Sequence, residues 1–481
     1  MEELYQIQIF YRKYLSKYVF ARLLKPFVVR IWNCAVCTKC FIFSQYIRAR
    51  FFCTRLIINH RKLISRVYSY GMKKLLSYDR FTQIISKKVR LSYFPLVSFS
   101  DYCQFNHLKV VLLAPTEKLL LQMPTVYPEN CRDKIFSNPW PMDLPSVYAF
   151  KIDNAEIIGK SDLIFSNGQC LHHGLYQFER DLPAEEMHGM ISINTRNRTV
   201  FRNVNNHTPR LIEKGINLLG CATSNYVHWL TETAPKLALI NQYSGFLEFS
   251  LIIDEDLHPN IIESVNYLNE KKRKLITIKR GEMCLVKTLI SVSPVAYIPF
   301  EFRAGLTPNE LNIDPNFAMY IPSGIRLLRE NLTKQLPKCR GRRKKLYLKR
   351  TSSTRILENS LEVEDVLRKE GFEFVEPDKM SLIDQIKLFR RARIIVSQGG
   401  AALGNIIFAP EGCCIVAISA WSPYTIYYYF SNLASILKQN FNLIICEPSN
   451  DPRDHHQAHK GMIVDIVTLK RVLANEQKNK F

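Results

Sequence analysis

The C-terminal third of the chain alternates short apolar runs with amphipathic stretches. Five runs, each bounded by turn residues, predict strands at 346–348, 372–375, 393–397, 414–418 and 443–445. The stretches between them predict helices at 360–370, 381–392, 401–408 and 424–437. Repeated strand–helix units of this length indicate a mainly parallel sheet with helices on both faces.

The central part of the chain has a less regular pattern of the same kind. Apolar runs at 110–113, 250–253 and 289–292 predict strands, with helical stretches between the later ones. We therefore expect an α/β protein with two Rossmann-like domains. The predicted boundaries are a first α/β domain at 95–330, a second at 331–450 and a tail or helix at 451–481.

Residues 1–94 differ from the rest in charge. The chain has a net charge of +23, and residues 1–90 hold nineteen Lys and Arg but only three acidic residues. This concentration argues against a nucleic-acid-binding protein, whose basic surface would belong to the folded domain. It favours a basic helical extension on an otherwise ordinary enzyme.

Aromatic and aliphatic residues alternate with the cations of this extension. No run of 18 uncharged apolar residues occurs in it, so a membrane-spanning helix is not expected. Its helices could lie on an anionic membrane surface or pack on the catalytic domain, and both interpretations stay open. With no signal peptide, we expect a cytoplasmic protein, in the first case peripheral to the inner face of the membrane. The Cys34, Cys37 and Cys40 spacing lacks a fourth ligand, which favours small apolar residues on a helix over an iron–sulfur site.

A glycine turn follows the third predicted strand of the C-terminal sheet. Gln398, Gly399 and Gly400 precede the helix that begins at Ala401. Two glycines let the backbone approach an anion closely, and a helix N-terminus attracts negative charge. The turn is either such an anion site or only a turn. It is not a G-x-G-x-x-G fingerprint, so no nicotinamide or flavin cofactor is expected.

Arginines near the end of the first of these strands favour the anion site. Arg350 leaves the strand and Arg355 follows a few residues later, opposite the glycine turn in a parallel sheet. Guanidinium groups bind diphosphates bidentately and keep their charge. The neighbouring basic run at 338–345 is instead interpreted as solvated.

A polar pair stands out in the central domain. If Asn225 or Ser224 caps a helix, His228 and Glu232 lie at i and i+4 on one helix face. Such a pair can remove a proton from a hydroxyl group, or it can simply satisfy a buried imidazole. His455, His456 and His459 have no acidic or Cys partners at ligand spacing, and His172–His173 is typical of a loop, so no metal site is expected.

Two blocks of sequence together resemble glycosyltransferase family 61, which includes capsular polysaccharide biosynthesis proteins. The first block runs from Asn225 through His228, Trp229 and Glu232 to Lys236. The second contains, in order, Arg350, Arg355, 359–363, 381–385 and 400–405. The resemblance covers about residues 215–420, and the joint order of the blocks is more specific than either one.

The resemblance implies a B-type (GT-B) glycosyltransferase that is inverting and independent of metal. It implies a nucleotide-sugar donor, a saccharide or glycolipid acceptor, and a role in capsular or other surface polysaccharide synthesis. His228 or Glu232 would be the catalytic base, with Asn225 and Trp229 on the acceptor side. The donor-binding residues would be Arg350, Arg355, Gln385, Gln398, Gly399, Gly400, Ala401 and Asn405.

One position departs from the family pattern. The family commonly has a His in the glycine turn where this chain has Gly399. Gln398 can donate a hydrogen bond there but cannot carry charge. The departure supports an alternative hypothesis, a catalytically silent protein that binds nucleotide sugars or saccharides as a scaffold at the membrane.

Overall fold

The computed structural model describes residues 91–203, 208–339, 341–350, 354–449 and 461–478. The predictions made for 1–90, including Cys34, Cys37 and Cys40, lie outside these residues, as do those for His455, His456 and His459. Within the described ranges, none of the helices is both long and apolar enough to cross a bilayer. The strands of the described residues are β1 (Leu91–Ser98), β2 (Val110–Ala114), β3 (Glu117–Leu121), β4 (Thr125–Tyr127), β5 (Trp140–Leu144), β6 (Val147–Ile158), β7 (Ile164–Ser166), β8 (Gln169–His172), β9 (Asp181–Leu182), β10 (Ile191–Asn194), β11 (Thr199–Asn203), β12 (Arg210–Asn217), β13 (Ser250–Asp254), β14 (Leu275–Ile278), β15 (Met283–Val292), β16 (Ala296–Tyr297), β17 (Glu301–Phe302), β18 (Met319–Tyr320), β19 (Lys344–Leu348), β20 (Glu373–Val375), β21 (Ala392–Gln398), β22 (Cys414–Ala420), β23 (Asn440–Pro448) and β24 (Met462–Ile463).

The helices follow the same chain order. The α-helices of the described residues are α1 (Phe99–Phe105), α2 (Ala184–Met187), α3 (Tyr226–His228), α4 (Ala234–Ile240), α5 (Pro259–Leu268), α6 (Pro308–Leu311), α7 (Pro322–Thr333), α8 (Ser360–Lys369), α9 (Leu382–Phe389), α10 (Tyr428–Ile436) and α11 (Ile466–Lys478). A π-helical turn at Trp229–Thr233 joins α3 to α4. Short 3₁₀ helices lie at Glu129–Lys134, Ser244–Phe246, Pro315–Phe317, Pro377–Lys379 and Ala401–Phe408.

The chain divides into two compact units. The smaller comprises residues 1–94 with 186–206, and the larger comprises 95–185 with 207–481. In the described part of the smaller unit, β10 and β11 form an antiparallel hairpin with Ile191 opposite Arg202. The Tyr93 ring packs edge-on against Phe201 at 5.7 Å. Every predicted site residue falls in the larger unit, which holds all of the predicted second α/β domain and most of the first, whose residues 186–206 belong to the smaller unit.

The first sheet of the larger unit mixes parallel and antiparallel strands. Its lateral order is β8-β7-β6-β15-β12-β13-β14, with the end of β1 beside β8 and with β2 also paired to β6. β12, β13, β14 and β15 run parallel, whereas β15–β6, β6–β7 and β7–β8 are antiparallel. The predicted strands at 110–113, 250–253 and 289–292 are confirmed as parts of β2, β13 and β15.

The first sheet departs from the Rossmann-like prediction in two respects. Between β14 and β15 the chain has only a short link, whereas a parallel crossover normally requires a dozen residues or more. Two strands separate β6 from β13 in the sheet. Lys160, just after β6, nevertheless donates its backbone N–H to Asp254 at the end of β13 (2.6 Å), so the sheet is strongly curled. The α/β class is therefore confirmed here, but a second open Rossmann-like sheet is not.

The second sheet is the doubly wound sheet that the sequence predicts. Its parallel strands lie in the order β20-β19-β21-β22-β23, so the chain order reverses between β19 and β21. All five predicted strands are present, each within a few residues of its expected bounds. Ligands of such sheets bind beyond the carboxyl ends of the two strands at the reversal.

Helices cover both faces of this sheet. On one face, α8 and α11 pack on Tyr347, Val396 and Val416 in one apolar core. On the other face, α9, α10 and the 3₁₀ helix Ala401–Phe408 belong to a core that also contains residues of the first sheet. The helix at 466–478 lies within the range predicted as tail or helix, and it packs on the second sheet.

One strand crosses the predicted domain boundary. β4 lies in the range predicted for the first domain but pairs in parallel with β23, with Val126 opposite Leu443. The chain thus contributes an edge strand to the second sheet long before that sheet begins in sequence.

Candidate functional site

A helical run carries His228 and Glu232 away from the end of β12. Asn225 caps it by accepting the backbone N–H of Val227 at 3.2 Å, as predicted for a capping residue. The run continues through α3, a π turn and α4. Pro235 explains the π turn, because it has no N–H to offer the carbonyl of Thr231, four residues earlier. Ala234 instead donates its backbone N–H to Trp229, and such local bulges are frequent at functional sites.

The predicted pair forms a short hydrogen bond. His228 Nδ1 lies 2.5 Å from Glu232 Oε1, and the two side chains are 21% and 26% exposed. Burial lowers the pKa of His228, but the charge and hydrogen bond of Glu232, with the charge of Asp162, outweigh it, so its pKa is raised. A carboxylate on Nδ1 leaves Nε2 as the atom that can take a proton from a ligand.

Both side chains line a cleft in the larger unit. The cleft lies at the carboxyl ends of the parallel neighbours β12 and β15, which contribute Asn217 and Val292 to its lining. The loop after β12 forms another wall. Asp254 holds that loop by accepting the backbone N–H of Gly220 at 3.1 Å and the hydroxyl of Thr223 at 2.5 Å.

An aromatic wall of this cleft was missed by sequence reasoning. The His173 ring lies 4.1 Å from that of Tyr176 and 5.1 Å from that of Tyr297. Tyr297 donates its hydroxyl hydrogen bond to the buried Asp181 at 2.5 Å, which fixes the ring. Lys236 and Asp162 complete the ionisable lining. His173 was predicted only as a loop residue, and no local pattern indicated that it lies beside Tyr297.

Two residues predicted for the acceptor side occupy other positions. Trp229 is fully buried in the core, and its indole N–H donates to Ser264 at 2.7 Å, so it does not face the cleft. Trp229 was predicted to face the acceptor because it lies within the family motif, but it occupies the side of the helix that faces the core. Asn225 is exposed and acts as the helix cap.

At the reversal of the second sheet, the two predicted arginines converge on the glycine turn. Arg350 Nη1 donates to the carbonyl of Gly399 at 3.3 Å, and its Nε donates to the carbonyl of Thr354 at 2.7 Å. A methyl group at Gly400 would lie 2.4 Å from Arg350 Nη1, and one at Gly399 would lie 4.0 Å from Arg355 Nη1. Glycine at 400 is thus needed for the close approach of a guanidinium group.

These two cations lie beside the glycine turn. Among the residues that the structure describes, neither Arg350 nor Arg355 forms an ion pair with a carboxylate, and the buried Nε of Arg355 has no hydrogen-bond partner. Burial lowers the pKa of Arg350; burial and the charge of Arg350 lower the pKa of Arg355 to about 10. Both stay protonated at neutral pH, so an anion here would relieve their repulsion.

The remaining predicted donor residues lie close by but mostly inside the protein. Gln398 is buried, and its amide donates to Tyr347 at 3.3 Å while its Oε1 has no partner. Ala401 begins the 3₁₀ helix that points its N-terminus at the turn. Asn405 and Gln385 are fully buried and bonded to each other at 2.7 Å. These two amides hold the wall of the site together, and they face no open space.

Asn405 also connects the two halves of the site. Tyr226, on the helical run of His228, donates its hydroxyl hydrogen bond to Asn405 at 2.9 Å. At the neighbouring residue of each helix, a methyl group at Gly404 would lie 2.8 Å from Cγ2 of Val227, so the two helices touch backbone to side chain. The His228 ring packs on Tyr429 of α10 at 5.7 Å. The helix that carries the acid–base pair is therefore docked directly on the helix that follows the glycine turn.

In the described ranges, no cluster of three or more His, Cys, Asp and Glu side chains is placed to hold a metal ion. The loop prediction is wrong for His172, which is buried at the end of β8, and its Nδ1 accepts the backbone N–H of Gly174 at 3.0 Å.

Comparison with known families identifies the class of protein. The family model described as Glycosyltransferase 61 matches residues 226–416, which span the helical run of His228 and the second sheet as far as β22. The chain is therefore a glycosyltransferase. It carries a family 61 domain, which confirms the resemblance found in its motifs.

Two solved structures overlap with larger parts of the chain. The E. coli heptosyltransferase WaaC with ADP is 10% identical, over 56% of this chain and 98% of that chain, with a TM-score of 0.24. The iron-containing dodecameric glycosyltransferase TibC from enterotoxigenic E. coli H10407 is 11% identical, over 67% and 78%, with a TM-score of 0.23. The comparison with curated proteins found no match.

Proposed function

We propose that this glycosyltransferase moves a sugar from a nucleotide-sugar donor to a saccharide acceptor, with inversion and without a metal ion. The observation that carries the donor assignment is the pair of half-buried guanidinium groups at Gly399 and Gly400, which lack a carboxylate partner among the described residues. A diphosphate supplies the missing negative charge. Its position at the strand-order reversal matches the general location of ligands in such sheets, and supports a GT-B arrangement.

The acid–base pair supplies the other half of the reaction. An acceptor hydroxyl in the cleft would lose its proton to Nε2 of His228 as its oxygen bonds to the anomeric carbon. Glu232 then stabilises the imidazolium through Nδ1, so we assign it the positioning role and His228 the role of base. The bond from the anomeric carbon to the diphosphate oxygen breaks on the opposite side, and the leaving electrons remain on the phosphate held by Arg350 and Arg355.

A nucleotide panel tests the donor site. Full-length protein is heated with UDP, ADP, GDP or CDP, and at least one of them is expected to raise the melting temperature by mass action. Arg350→Ala should abolish that rise, while Arg342→Ala, which removes an exposed cation of the basic run, should keep it. A panel with no stabilising nucleotide, or a rise that survives Arg350→Ala, would refute the donor assignment.

Two further measurements test the chemistry. Transfer should survive excess EDTA, and NMR of the new glycosidic bond should show the anomeric configuration opposite to that of the donor. Retention of configuration would require a covalent or front-face mechanism, which the His228–Glu232 pair does not provide.

The basic residues 1–90 support a location at the membrane. The concentration of positive charge in residues 1–90 supports attachment to an anionic inner membrane surface, where precursors of capsular or other surface polysaccharides would be at hand. The full chain should then sediment with anionic vesicles at low salt, and a chain lacking residues 1–90 should not.

A further inference from the structure

The cleft beside His228 contains a cation that proton transfer does not use. Lys236 lies eight residues after His228 on the same helical run and lines the same cleft. Eight helical residues correspond to about 12 Å of helix axis. Lys236 is therefore placed to contact a part of the bound molecule away from the reacting hydroxyl.

The charge of Lys236 is not neutralised by its neighbours. Glu232, four residues earlier, would be its usual helical partner, but that carboxylate is bonded to His228 at 2.5 Å. Asp162 accepts the backbone N–H of Cys221 at 3.3 Å, at the loop after β12. Throughout the described part of the chain, no carboxylate lies within ion-pair distance of the Lys236 ammonium. An unpaired ammonium in a partly enclosed cleft attracts an anion.

His173 adds a neutral donor beside it. Its Nδ1 accepts the backbone N–H of Leu175 at 3.1 Å, which leaves the ring proton on Nε2. Burial, with the charges of His172 and Lys236, holds the pKa of His173 well below its usual range. The ring can therefore donate a hydrogen bond to an anion without adding a second charge.

The wall around these groups fits a sugar ring. The Tyr176 and Tyr297 rings stand 5.8 Å apart at 81° and both contact His173. Flat aromatic faces pack against the apolar face of a pyranose, and the polar groups between them select its substituents. We infer, given the function proposed above, that the acceptor is an acidic saccharide whose carboxylate or phosphate group binds Lys236 and His173 while its ring contacts Tyr176 and Tyr297.

Saturation-transfer NMR on the full-length protein tests this with three probes: glucuronate, glucose 6-phosphate and neutral glucose. UDP is present throughout to occupy the donor arginines. At least one acidic probe is expected to bind roughly tenfold more tightly than glucose, the effect of one charge-assisted hydrogen bond. Comparison of the two acidic probes shows whether the site prefers a carboxylate or a phosphate.

Variants then show whether Lys236 causes the preference for an acidic probe over glucose. Lys236→Met should remove it and Lys236→Arg should keep most of it, whereas Lys287→Met, which removes an exposed lysine paired with Glu213, should leave it unchanged. The proposal is overturned if glucose binds as well as both acidic probes, or if the preference survives Lys236→Met in protein with an unchanged melting temperature. It is also overturned if Arg350→Ala removes the preference, since the anion would then occupy the donor site. Failure of the nucleotide panel would instead refute the donor assignment.

Discussion

The two sheets of the larger unit end in sites with opposite chemistry. The first cleft combines an acid–base pair, a neutral histidine and two tyrosines with a mixed set of charges. The second site combines two glycines with two half-buried arginines and, within the described residues, no acid. The difference follows from what each must hold: a hydroxyl needs a group that accepts a proton, and a departing diphosphate needs fixed positive charge.

The two sites also differ in how they are joined to the rest of the protein. The acid–base pair lies on a helical run whose first turn, at Tyr226 and Val227, contacts Asn405 and Gly404 of the helix after the glycine turn. Neither site is complete without this contact, because a base and a leaving-group site must face the same bond. Because the two sites lie at the ends of different sheets, variants of one site should leave ligand binding at the other intact. Variants of the contact should affect both sites.

The largest expected effect is on catalysis without an effect on donor binding. His228→Ala should lower kcat by roughly 10²- to 10⁴-fold, the usual contribution of a general base. The nucleotide-induced rise in melting temperature should not change, because His228 lies in the other site. His107→Ala, which removes an exposed histidine, is the matched control. An active His228→Ala protein would mean that another group takes the proton.

The second-largest expected effect is a loss of stability when the contact between the two sites is broken. Asn405→Ala leaves the Tyr226 hydroxyl and the buried Gln385 amide without their partner. We expect a loss of about 1–3 kcal/mol in the free energy of unfolding, measured by urea denaturation. Asn106→Ala, at an exposed asparagine, should cost far less. Equal costs would show that the buried network does not join the two sites.

A smaller effect, on the Kd for the nucleotide, should distinguish Gly400 from Gly399. Gly400→Ala places a methyl group against Arg350, whose flexible guanidinium must move, so we expect the Kd for the nucleotide to rise roughly tenfold. Gly399→Ala has more room, with Arg355 at 4.0 Å, and should bind the nucleotide nearly as well as the parent protein. Calorimetric titration measures both. The reverse order would place the diphosphate nearer Arg355.

The smallest effect is a shift in pH dependence. His228 must be neutral to act as a base, and Glu232 raises its pKa, so kcat/KM should fall as the pH drops through a value above the usual range of histidine. Glu232→Gln removes that charge, and the midpoint of the profile should move to lower pH. The pair also stabilises the fold below the unfolded-state pKa of His228, and that contribution is lost as the pH rises through the folded-state pKa. An unmoved midpoint would assign the profile to another group.

Local patterns predicted much of the second site. Short apolar runs with turn residues between them indicated five strands of the second sheet, and parallel strands place their carboxyl ends at one edge. For this reason the sequence alone predicted that Arg350, Arg355 and Gly400 lie close together. The i, i+4 spacing of His228 and Glu232 followed equally from helix geometry.

The tertiary structure alone decided the rest. The wall of the first cleft joins His173 to Tyr297, which are far apart in sequence, and β4 reaches the second sheet from the first domain. The inward position of Trp229 and the curl of the first sheet likewise depend on long-range packing. Periodicity and spacing report only what neighbours along the chain do, so the sequence determined the elements and the chemistry at their ends. Which distant surfaces close around that chemistry was decided by the burial of apolar faces in the folded chain.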